Sequence, residues 1–411
     1  MNRTGDPAMV GATPPARLVS LDALRGFTMF WILGADMAVI ALARWIDIAP
    51  LRVAAHQVDH AAWAGFRFYD LIFPMFIFIT GVSLVFSLEK SLARDGRRVA
   101  VKHILIRTAV LFLLGILYNG GLSQPWPEVR LVGVLQRIAL AYGAAALLVV
   151  YCSGRTRAVT TAVLLLGYWA LLALVPIRDI ALDREAMAGR LGSERPAAAE
   201  VRALYDATTT TVSGRYEPGL NLPHHVDYLM LPGRKYDVYW DPEGIVSTLP
   251  AVATCLLGVM AGTWLRRRDR GEREKLRALA LAGVACLALG WLWHLQFPVV
   301  KKLWTSSYVL VAGGWSLLFL AAFGWVVDHR GWRAWCAPFV WIGMNPITLY
   351  LATSLVSFGR IAGFLVGGSV ALGLDATLGA GAGGFVHAFV VLLLLLAVAR
   401  FLHRRGIYLK V

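Results

Sequence analysis

Residues 68–88 have the sequence FYDLIFPMFIFITGVSLVFSL, and this stretch decides the fold class. Asp70 is its only charged residue, and the rest is almost entirely apolar. A helix rises ~1.5 Å per residue, so about 20 such residues cross a hydrocarbon core of ~30 Å. We therefore expect this stretch to form a transmembrane helix.

The composition of the whole chain agrees with that expectation. It is 58% hydrophobic and 16% charged, with a mean hydropathy of +0.62, whereas soluble domains carry roughly 25% charged residues. The net charge of +15 comes from short basic clusters between apolar runs, which indicates membrane topology rather than nucleic-acid binding. The 4 cysteines lie in or beside apolar segments, so we expect neither a disulfide framework nor a metal site.

Long apolar segments recur along the chain and predict an all-α, polytopic bundle of about ten transmembrane helices. Residues 359–384, rich in Gly and Ala, are compatible with a loop, a re-entrant piece or a short helix. The predicted spans are 23–43, 68–88, 104–120, 131–151, 158–176, 246–265, 278–297, 307–327, 336–357 and 384–402.

The distribution of Lys and Arg predicts the orientation of these spans. One set of turns and both termini hold 23 of the 40, whereas the opposite short loops hold 7, so both termini are expected in the cytoplasm. Residues 1–16 lack the apolar core of a signal peptide and are interpreted as a cytoplasmic tail before a membrane domain of residues 17–411. Residues 177–244 are then an extracytoplasmic loop or lid.

Ionisable groups inside predicted spans are functional candidates because they are costly in lipid. Asp36 lies past the middle of the first span, and Asp70 lies near the outer start of the second. Pro74 has no N–H, so the backbone carbonyl of Asp70 loses its helical partner and is free to accept from a ligand or a side chain. We treat Asp36 as a candidate substrate contact.

Two arginines, Arg130 and Arg137, are seven residues apart and are predicted to share one face of the fourth helix, where they would bind an anion. The alternative is that Arg137 pairs with Asp70 or Asp36 to hold helices together. Three further polar residues have the same two interpretations, ligand contact or contact between helices: Arg107, Asn119 and Asn345.

The loop between the first two spans contains His60, an imidazole suited to accept a proton or an acyl group at neutral pH. A single loop histidine is usually unremarkable, and either Asp59 or Asp70 could orient this one. Before the sixth span, Asp241 and Pro242 fit a helix start. That leaves Trp240 and Glu243 to meet an amine or a sugar.

Several ordered motifs are similar to those of the heparan-α-glucosaminide N-acetyltransferase family of membrane acyltransferases, here in a bacterial form. The resemblance runs from about Arg17 to the C-terminus, with Asp36 where that family would have Asn. The motifs are RLVSLDALRG at 17–26, HAAW at 60–63, DLIFP at 70–74, GVLQR at 133–137, DPEG at 241–244, KLWTSSY at 302–308 and GMN at 343–345.

The resemblance implies an enzyme that takes an acetyl group from cytoplasmic acetyl-CoA, a cosubstrate, and gives it to the amine of a glucosamine-type sugar across the membrane. It makes His60 the catalytic histidine, with Asp70 beside it. The expected cosubstrate contacts are Arg25, Arg107, Arg130, Arg137 and Asn345. The expected acceptor contacts are Asp36, Asn119, Trp240, Asp241 and Glu243.

Other functions and assemblies stay open at this point. Intramembrane Asp36, Asp70 and Arg137 would also suit a secondary transporter or flippase for a sugar or lipid, although no internal repeat is evident. An O-acetyltransferase of envelope polysaccharide is a third alternative. We expect a multi-pass protein in the lipid bilayer of the bacterial inner membrane, with an amino-sugar acceptor and no nucleic-acid partner. Its oligomeric state, a homodimer included, stays open.

Overall fold

A computed structural model describes residues 18–409, and within them nearly all regular structure is helical. The predicted tail of residues 1–16 lies outside the described residues. Among residues 18–409, eight helices are long and apolar enough to cross a membrane, or nine if one bent pair counts as a span. The long helices are Val19–Trp45, Phe68–Tyr118, Val134–Tyr151, Gly154–Leu174, Thr248–Leu265, Glu272–Trp293, Ser306–His329 and Ala382–Arg404.

The helix Phe68–Tyr118 contains both the second and the third predicted span. At 51 residues it is far longer than a bilayer requires, and Gly96 breaks it with a φ of 75°. Ser83 from its first half and Arg107 from its second half line the same cavity. The two halves therefore lie side by side, which agrees with two crossings joined by a turn.

Two predicted segments are more broken than the sequence indicated. The ninth span consists of Ala337–Met344 and Pro346–Leu355, which meet at Asn345. The stretch whose structure was left open folds as two short helices, Phe358–Val366 and Ser369–Leu378. The first of these bends by 68° from Pro346–Leu355, so together they form a broken span or a re-entrant hairpin.

Glycines allow the backbones of neighbouring spans to touch, which is how helices associate where lipid removes the hydrophobic driving force. A Cβ on Gly26 would lie 1.6 Å from the carbonyl oxygen of Phe339, and one on Gly343 would lie 1.9 Å from that of Asp22. The first and ninth spans thus pack backbone to backbone. In the same way, Gly81 meets the carbonyl oxygen of Cys255 and joins the second span to the sixth.

The segment between the fifth and sixth spans, which we call the lid, has a small core of its own. Its helices are Arg184–Leu191, Ala198–Ala207 and Leu222–Met230, and its two short antiparallel strands are Ile177–Arg178 and Thr211–Val212. The indole of Trp63, in the loop after the first span, donates to the Tyr216 carbonyl at 2.8 Å. The lid therefore lies against the loop that carries His60.

Other helices are short: Ala49–Gln57 follows the first span, and a 3-10 turn, Trp126–Glu128, precedes the fourth. The hydroxyl and backbone N–H of Ser20 bond to the Asp328 carboxylate, so the first span begins where the eighth ends. We call this end of the bundle the inner face, and the end that carries His60, Arg130 and Lys301 the outer face.

Candidate active site

The outer face places His60 beside the buried carboxylate of Asp70. The His60 Nδ1 lies 2.8 Å from Asp70 Oδ1, while Asp70 Oδ2 accepts from the backbone N–H of Ala61 and Arg67, both at 3.1 Å. The Asp70 side chain is 1% exposed and that of His60 is 46% exposed. A carboxylate on Nδ1 holds the proton there, so Nε2 carries no proton and is suited to act as base or nucleophile.

Of the two acids that could orient His60, Asp70 is the one in contact with its ring. Asp59 instead accepts from the backbone N–H of His60 at 2.7 Å and from the Arg67 guanidinium at 3.4 Å. It therefore shapes the loop rather than the imidazole.

The prediction about the backbone carbonyl of Asp70 is confirmed. The buried hydroxyl of Tyr308, on the eighth span, donates to this carbonyl at 2.8 Å. The helical partner that Pro74 cannot supply is thus replaced by a side chain. This bond fixes the turn that carries Asp70 against the bundle.

Lys301 is a member of this site that the sequence reasoning counted only as a topological charge. Its Nζ lies 3.0 Å from both ring nitrogens of His60 and 3.6 Å from Asp70 Oδ1. Burial lowers the pKa of the Lys301 ammonium, while the charges of Asp70 and Glu243 act in the opposite direction. A cation, an imidazole and a carboxylate are therefore grouped at one point.

Asp36 reaches the same region through Tyr69. The Tyr69 hydroxyl interacts with the Asp36 carboxylate, and the Tyr69 ring centroid lies 4.8 Å from that of His60. The first span is interrupted here by a π-helical turn, Trp31–Ala35, in which Gly34 has a φ of 115°. Asp36 thus lies one side chain away from the imidazole.

The prediction that Arg130 and Arg137 share a helix face is wrong. The fourth helix begins at Val134 with Gly133 as its N-cap, so Arg130 lies in the preceding loop. Its guanidinium forms two bonds to Asp241, at 2.7 and 2.8 Å, and one to Glu243 at 2.8 Å. The expected cosubstrate contact Arg130 is thus engaged with two expected acceptor contacts.

The interpretation of Asp241 as a helix N-cap is also wrong, because the sixth helix begins only at Thr248. Asp241 instead accepts from the backbone N–H groups of Tyr236 and Glu243 at 2.9 and 3.0 Å. These bonds close a turn before the helix. Asp241 is buried and structural in this arrangement, whereas Glu243 keeps some exposure.

Arg137 lies deep in the bundle, 1% exposed, with its guanidinium 4.8 Å from the Trp304 ring centroid. It donates to the Ser247 hydroxyl, and its Nε and Nη1 have no hydrogen-bond partner among the described residues. Within residues 18–409 no carboxylate lies within 4 Å of it, so the proposed pairing with Asp70 or Asp36 is wrong.

Trp240 is not open to a ligand, contrary to expectation. It is 1% exposed and stacks on His224 with a centroid distance of 3.7 Å. Nearby, Asp227 accepts from the backbone N–H groups of Asp241 and Ile245, at 3.3 and 3.0 Å. Burial raises the pKa of Asp227 to about 6. These residues join the lid to the turn before the sixth span.

The inner half of the bundle contains a cavity of about 350 Å³ that brings Arg25 and Arg107 together. Arg25 donates to the Ser83 hydroxyl at 2.5 Å and to the Gly343 carbonyl at 3.2 Å. Arg107 lies 4.7 Å from the Tyr142 ring centroid, and its buried Nε has no hydrogen-bond partner among residues 18–409. Thr80 and Ser87 add hydroxyl groups.

A narrow apolar cavity of about 20 Å³ continues from the first one towards the outer face. The two cavities share four lining residues and are therefore adjacent; these residues are Phe76, Ile138, Pro346 and Ile347. Tyr350 also lines the narrow cavity and stacks on Tyr118 at 4.1 Å. Another lining residue, Phe73, lies three residues after Asp70 on the second span.

Asn119 and Asn345, both expected to contact ligands, instead form hydrogen bonds to other segments of the chain. The Asn119 amide donates to the Val132 carbonyl at 3.1 Å and supports the loop before the fourth helix. The Asn345 amide donates to the Ile407 carbonyl at 2.9 Å and holds the C-terminal segment. Within the described chain, Asn345 and Arg137 do not line either cavity.

Comparisons with known proteins confirm the resemblance inferred from the motifs. Residues 17–188 match the family model of the catalytic region of heparan-α-glucosaminide N-acetyltransferase. The chain is 29% identical over 379 residues to that enzyme of Homo sapiens, covering 83% of this chain and 53% of the human protein. It is 26% identical over 323 residues to the Mus musculus enzyme, covering 71% and 48%. The chain thus spans about half the length of these curated relatives.

Proposed function

We propose that this relative of the heparan-α-glucosaminide N-acetyltransferases is a membrane N-acetyltransferase that moves an acetyl group from acetyl-CoA to the amine of a glucosamine-type sugar. The observation that carries the proposal is the position of two adjacent cavities between the Arg25–Arg107 pair and the paired His60 and Asp70. The cavities share four lining residues, and Phe73, which lines the small one, lies three residues after Asp70 on the second span.

The inner cavity suits the anionic end of acetyl-CoA. Arg25 and Arg107 offer guanidinium groups, which bind phosphates through charge-assisted hydrogen bonds. The buried, unpartnered Nε of Arg107 is a donor that a phosphate oxygen would satisfy. The hydroxyls of Thr80, Ser83 and Ser87 suit a polar ligand as well. Beyond them, the apolar cavity has room for about one water, so the side chains around it would separate to admit the arm.

Acetyl-CoA supplies an activated thioester, so the chain must provide orientation and a base. The unprotonated Nε2 of His60 is suited either to deprotonate the incoming amine or to accept the acetyl group itself. Asp70 fixes the ring for both routes and stabilises the imidazolium that the base route forms. The proposal holds for either route.

The acceptor would bind on the outer face beside His60. Asp36 and Glu243 are carboxylates near this point, and an amino sugar enters as an ammonium that carboxylates attract. Trp240, Asp241 and Asn119 would act indirectly, because they position the lid, the turn and the loop around the site.

The same proposal places the protein in a bacterial inner membrane with both termini in the cytoplasm, since the inner face carries the basic turns. CoA would then enter from the cytoplasm, and the amino sugar would meet His60 outside. We propose that the protein lies in the lipid bilayer and has no nucleic-acid partner. A homodimer is compatible with the fold.

The test is acceptor-dependent thiol release by the purified protein given acetyl-CoA and glucosamine, with a screen of sugar amines and hydroxyl acceptors. His60→Ala should lower turnover by at least 10²-fold, because it removes the base or nucleophile. His56→Ala, an exposed histidine of the same loop, is the matched control and should keep wild-type turnover. Saturable sugar uptake without thiol release would instead identify a transporter.

A further inference from the structure

The Lys301 ammonium lies closer to the His60 ring than to the Asp70 carboxylate. Its Nζ is 3.0 Å from His60 Nε2, the atom left free by the Asp70 contact, and 3.6 Å from Asp70 Oδ1. Nζ is equally distant, at 3.0 Å, from Nδ1. An ammonium has three N–H groups, and at 3.6 Å the carboxylate does not take a normal hydrogen bond from it.

We propose that Lys301 is a second catalytic residue, whose ammonium donates to the acetyl oxygen as negative charge develops on it during transfer at His60. The proposal rests on the acetyltransferase function proposed above and deepens it. When His60 Nε2 attacks the carbonyl carbon, the acetyl oxygen is two bonds from Nε2. A donor 3.0 Å from Nε2 is therefore within hydrogen-bond reach of that oxygen.

The step balances in both routes. The attacking nitrogen, either His60 Nε2 or the neutral sugar amine, forms a C–N bond to the carbonyl carbon, and the C=O π pair moves to the oxygen beside Lys301. That pair then reforms the carbonyl, the C–S bond breaks, and CoA leaves as a thiolate. When the sugar amine attacks the thioester directly, its proton passes to His60 Nε2. When Nε2 attacks first, the sugar amine then attacks the acetyl carbon, the bond between that carbon and Nε2 breaks, and the amine proton passes to the released Nε2. Lys301 keeps its own proton throughout.

Lys301 is partly shielded from water, and two carboxylates nearby oppose the lowering of its pKa by burial. Its side chain is 22% exposed, and it faces His60 from the first loop, Asp70 from the second span and Glu243 from the turn before the sixth span. Lys302, on its own segment, is the neighbouring cation. Donors held in such a site stabilise an oxyanion more strongly than they would in water.

Lys302 supplies a matched control in the same segment. Its Nζ lies 5.8 Å from the Trp63 ring centroid and 5.7 Å from that of Trp240, so it packs on the lid instead of on His60. Lys301→Met and Lys302→Met remove the same charge from adjacent positions. Only the first of them removes the proposed oxyanion donor.

The experiment measures kcat and KM for acetyl-CoA and acceptor, thermal unfolding, and binding of a non-reactive acetyl-CoA analogue. Lys301→Met should lower kcat by about 10²–10³-fold while analogue affinity and unfolding temperature stay near wild type, because the donor acts in the transition state. Lys301→Arg should restore part of kcat. Lys302→Met should keep kcat within about threefold of wild type.

The pH profile separates catalysis from a structural role. Because burial lowers the pKa of Lys301 and the proposed donor must be protonated, kcat should fall on the alkaline side below the usual lysine range. Lys301→Arg should move this alkaline limb to higher pH, since a guanidinium stays charged.

Several results would overturn the assignment: Lys301→Met with wild-type kcat, a loss confined to KM, or an unchanged alkaline limb in Lys301→Arg. If the wild type releases no thiol, or if His60→Ala stays active, the proposed function itself fails. If the wild type is active, His60→Ala inactive and Lys301→Met active, only the role of Lys301 fails.

Discussion

Replacing Asp70 by Asn tests the geometry of the site with the smallest change in shape. In the structure one carboxylate oxygen meets His60 Nδ1 at 2.8 Å and the other accepts from the N–H groups of Ala61 and Arg67. In Asp70→Asn the amide oxygen can still satisfy those two N–H groups, which turns the NH₂ towards the imidazole. Nδ1 must then accept, and the proton moves to Nε2.

An imidazole protonated on Nε2 can neither take a proton nor accept an acetyl group at that atom. Since general acid–base catalysis contributes roughly 10²–10⁴-fold, kcat of Asp70→Asn should fall by about that factor. The backbone bonds are retained, so the loss in unfolding free energy should stay near ~1–2 kcal/mol, the size of one weakened charged hydrogen bond. Thiol release and thermal unfolding measure the two effects separately.

The matched control is Asp59→Asn, which changes an acid whose side chain is 69% exposed and does not contact the ring. It should keep kcat within about threefold of wild type. Asp70→Asn with near-wild-type kcat and an intact fold would refute the assigned orientation of His60.

Two further predictions concern the cavity and the lid. Arg107→Met should raise the KM for acetyl-CoA by about 10–100-fold, because a charge-assisted bond worth ~1.5–3 kcal/mol is lost. Lys102→Met, which changes an exposed residue of the same helix, should leave this KM unchanged. Equal KM values in the two variants would contradict the donor site. Burial raises the pKa of Asp227 to about 6, so its folded form binds a proton that the unfolded chain has released, and stability should fall by about 2–3 kcal/mol as pH rises from 4 through 6. Asp227→Asn should remove that part of the pH dependence, and unfolding curves that stay parallel to wild type would contradict it.

Hydropathy and charge predicted most of the fold because lipid imposes strict rules on helix length and polarity. The second and third spans were expected as separate helices, and Gly96 divides the helical run that contains them. Pro74 in residues 68–88 predicted a free carbonyl on Asp70, which Tyr308 now satisfies. These features depend on local chemistry and can be derived from one sequence.

The site was less predictable because its members come from distant parts of the chain. Lys301 contacts His60 across 241 positions, and one sequence contains no spacing rule for such a contact. Lys301 and Lys302, just before the eighth span, were therefore counted only as charges that indicate membrane topology. The motif that contains Lys302 was the only available signal, and it did not extend to Lys301.

Arg130 and Trp240 show the opposite error. Helical spacing was applied to Arg130 although Gly133 starts the helix later, and Trp240 was assigned to the acceptor although the lid has a core that buries it. A local helix start was missed in the first case, and tertiary packing overrode a local pattern in the second. Asp241 and Glu243, which were assigned to the acceptor, likewise accept hydrogen bonds from Arg130.

Acetyl transfer between compartments is the most direct test of the account. The protein is reconstituted in sealed vesicles with its inner face inside, acetyl-CoA is trapped in the lumen, and glucosamine is added outside. We predict that N-acetylglucosamine forms outside while free CoA thiol accumulates inside, and that His60→Ala vesicles form neither. Product that forms only when both substrates are on the same side of the membrane would contradict a route from the Arg25–Arg107 cavity to His60.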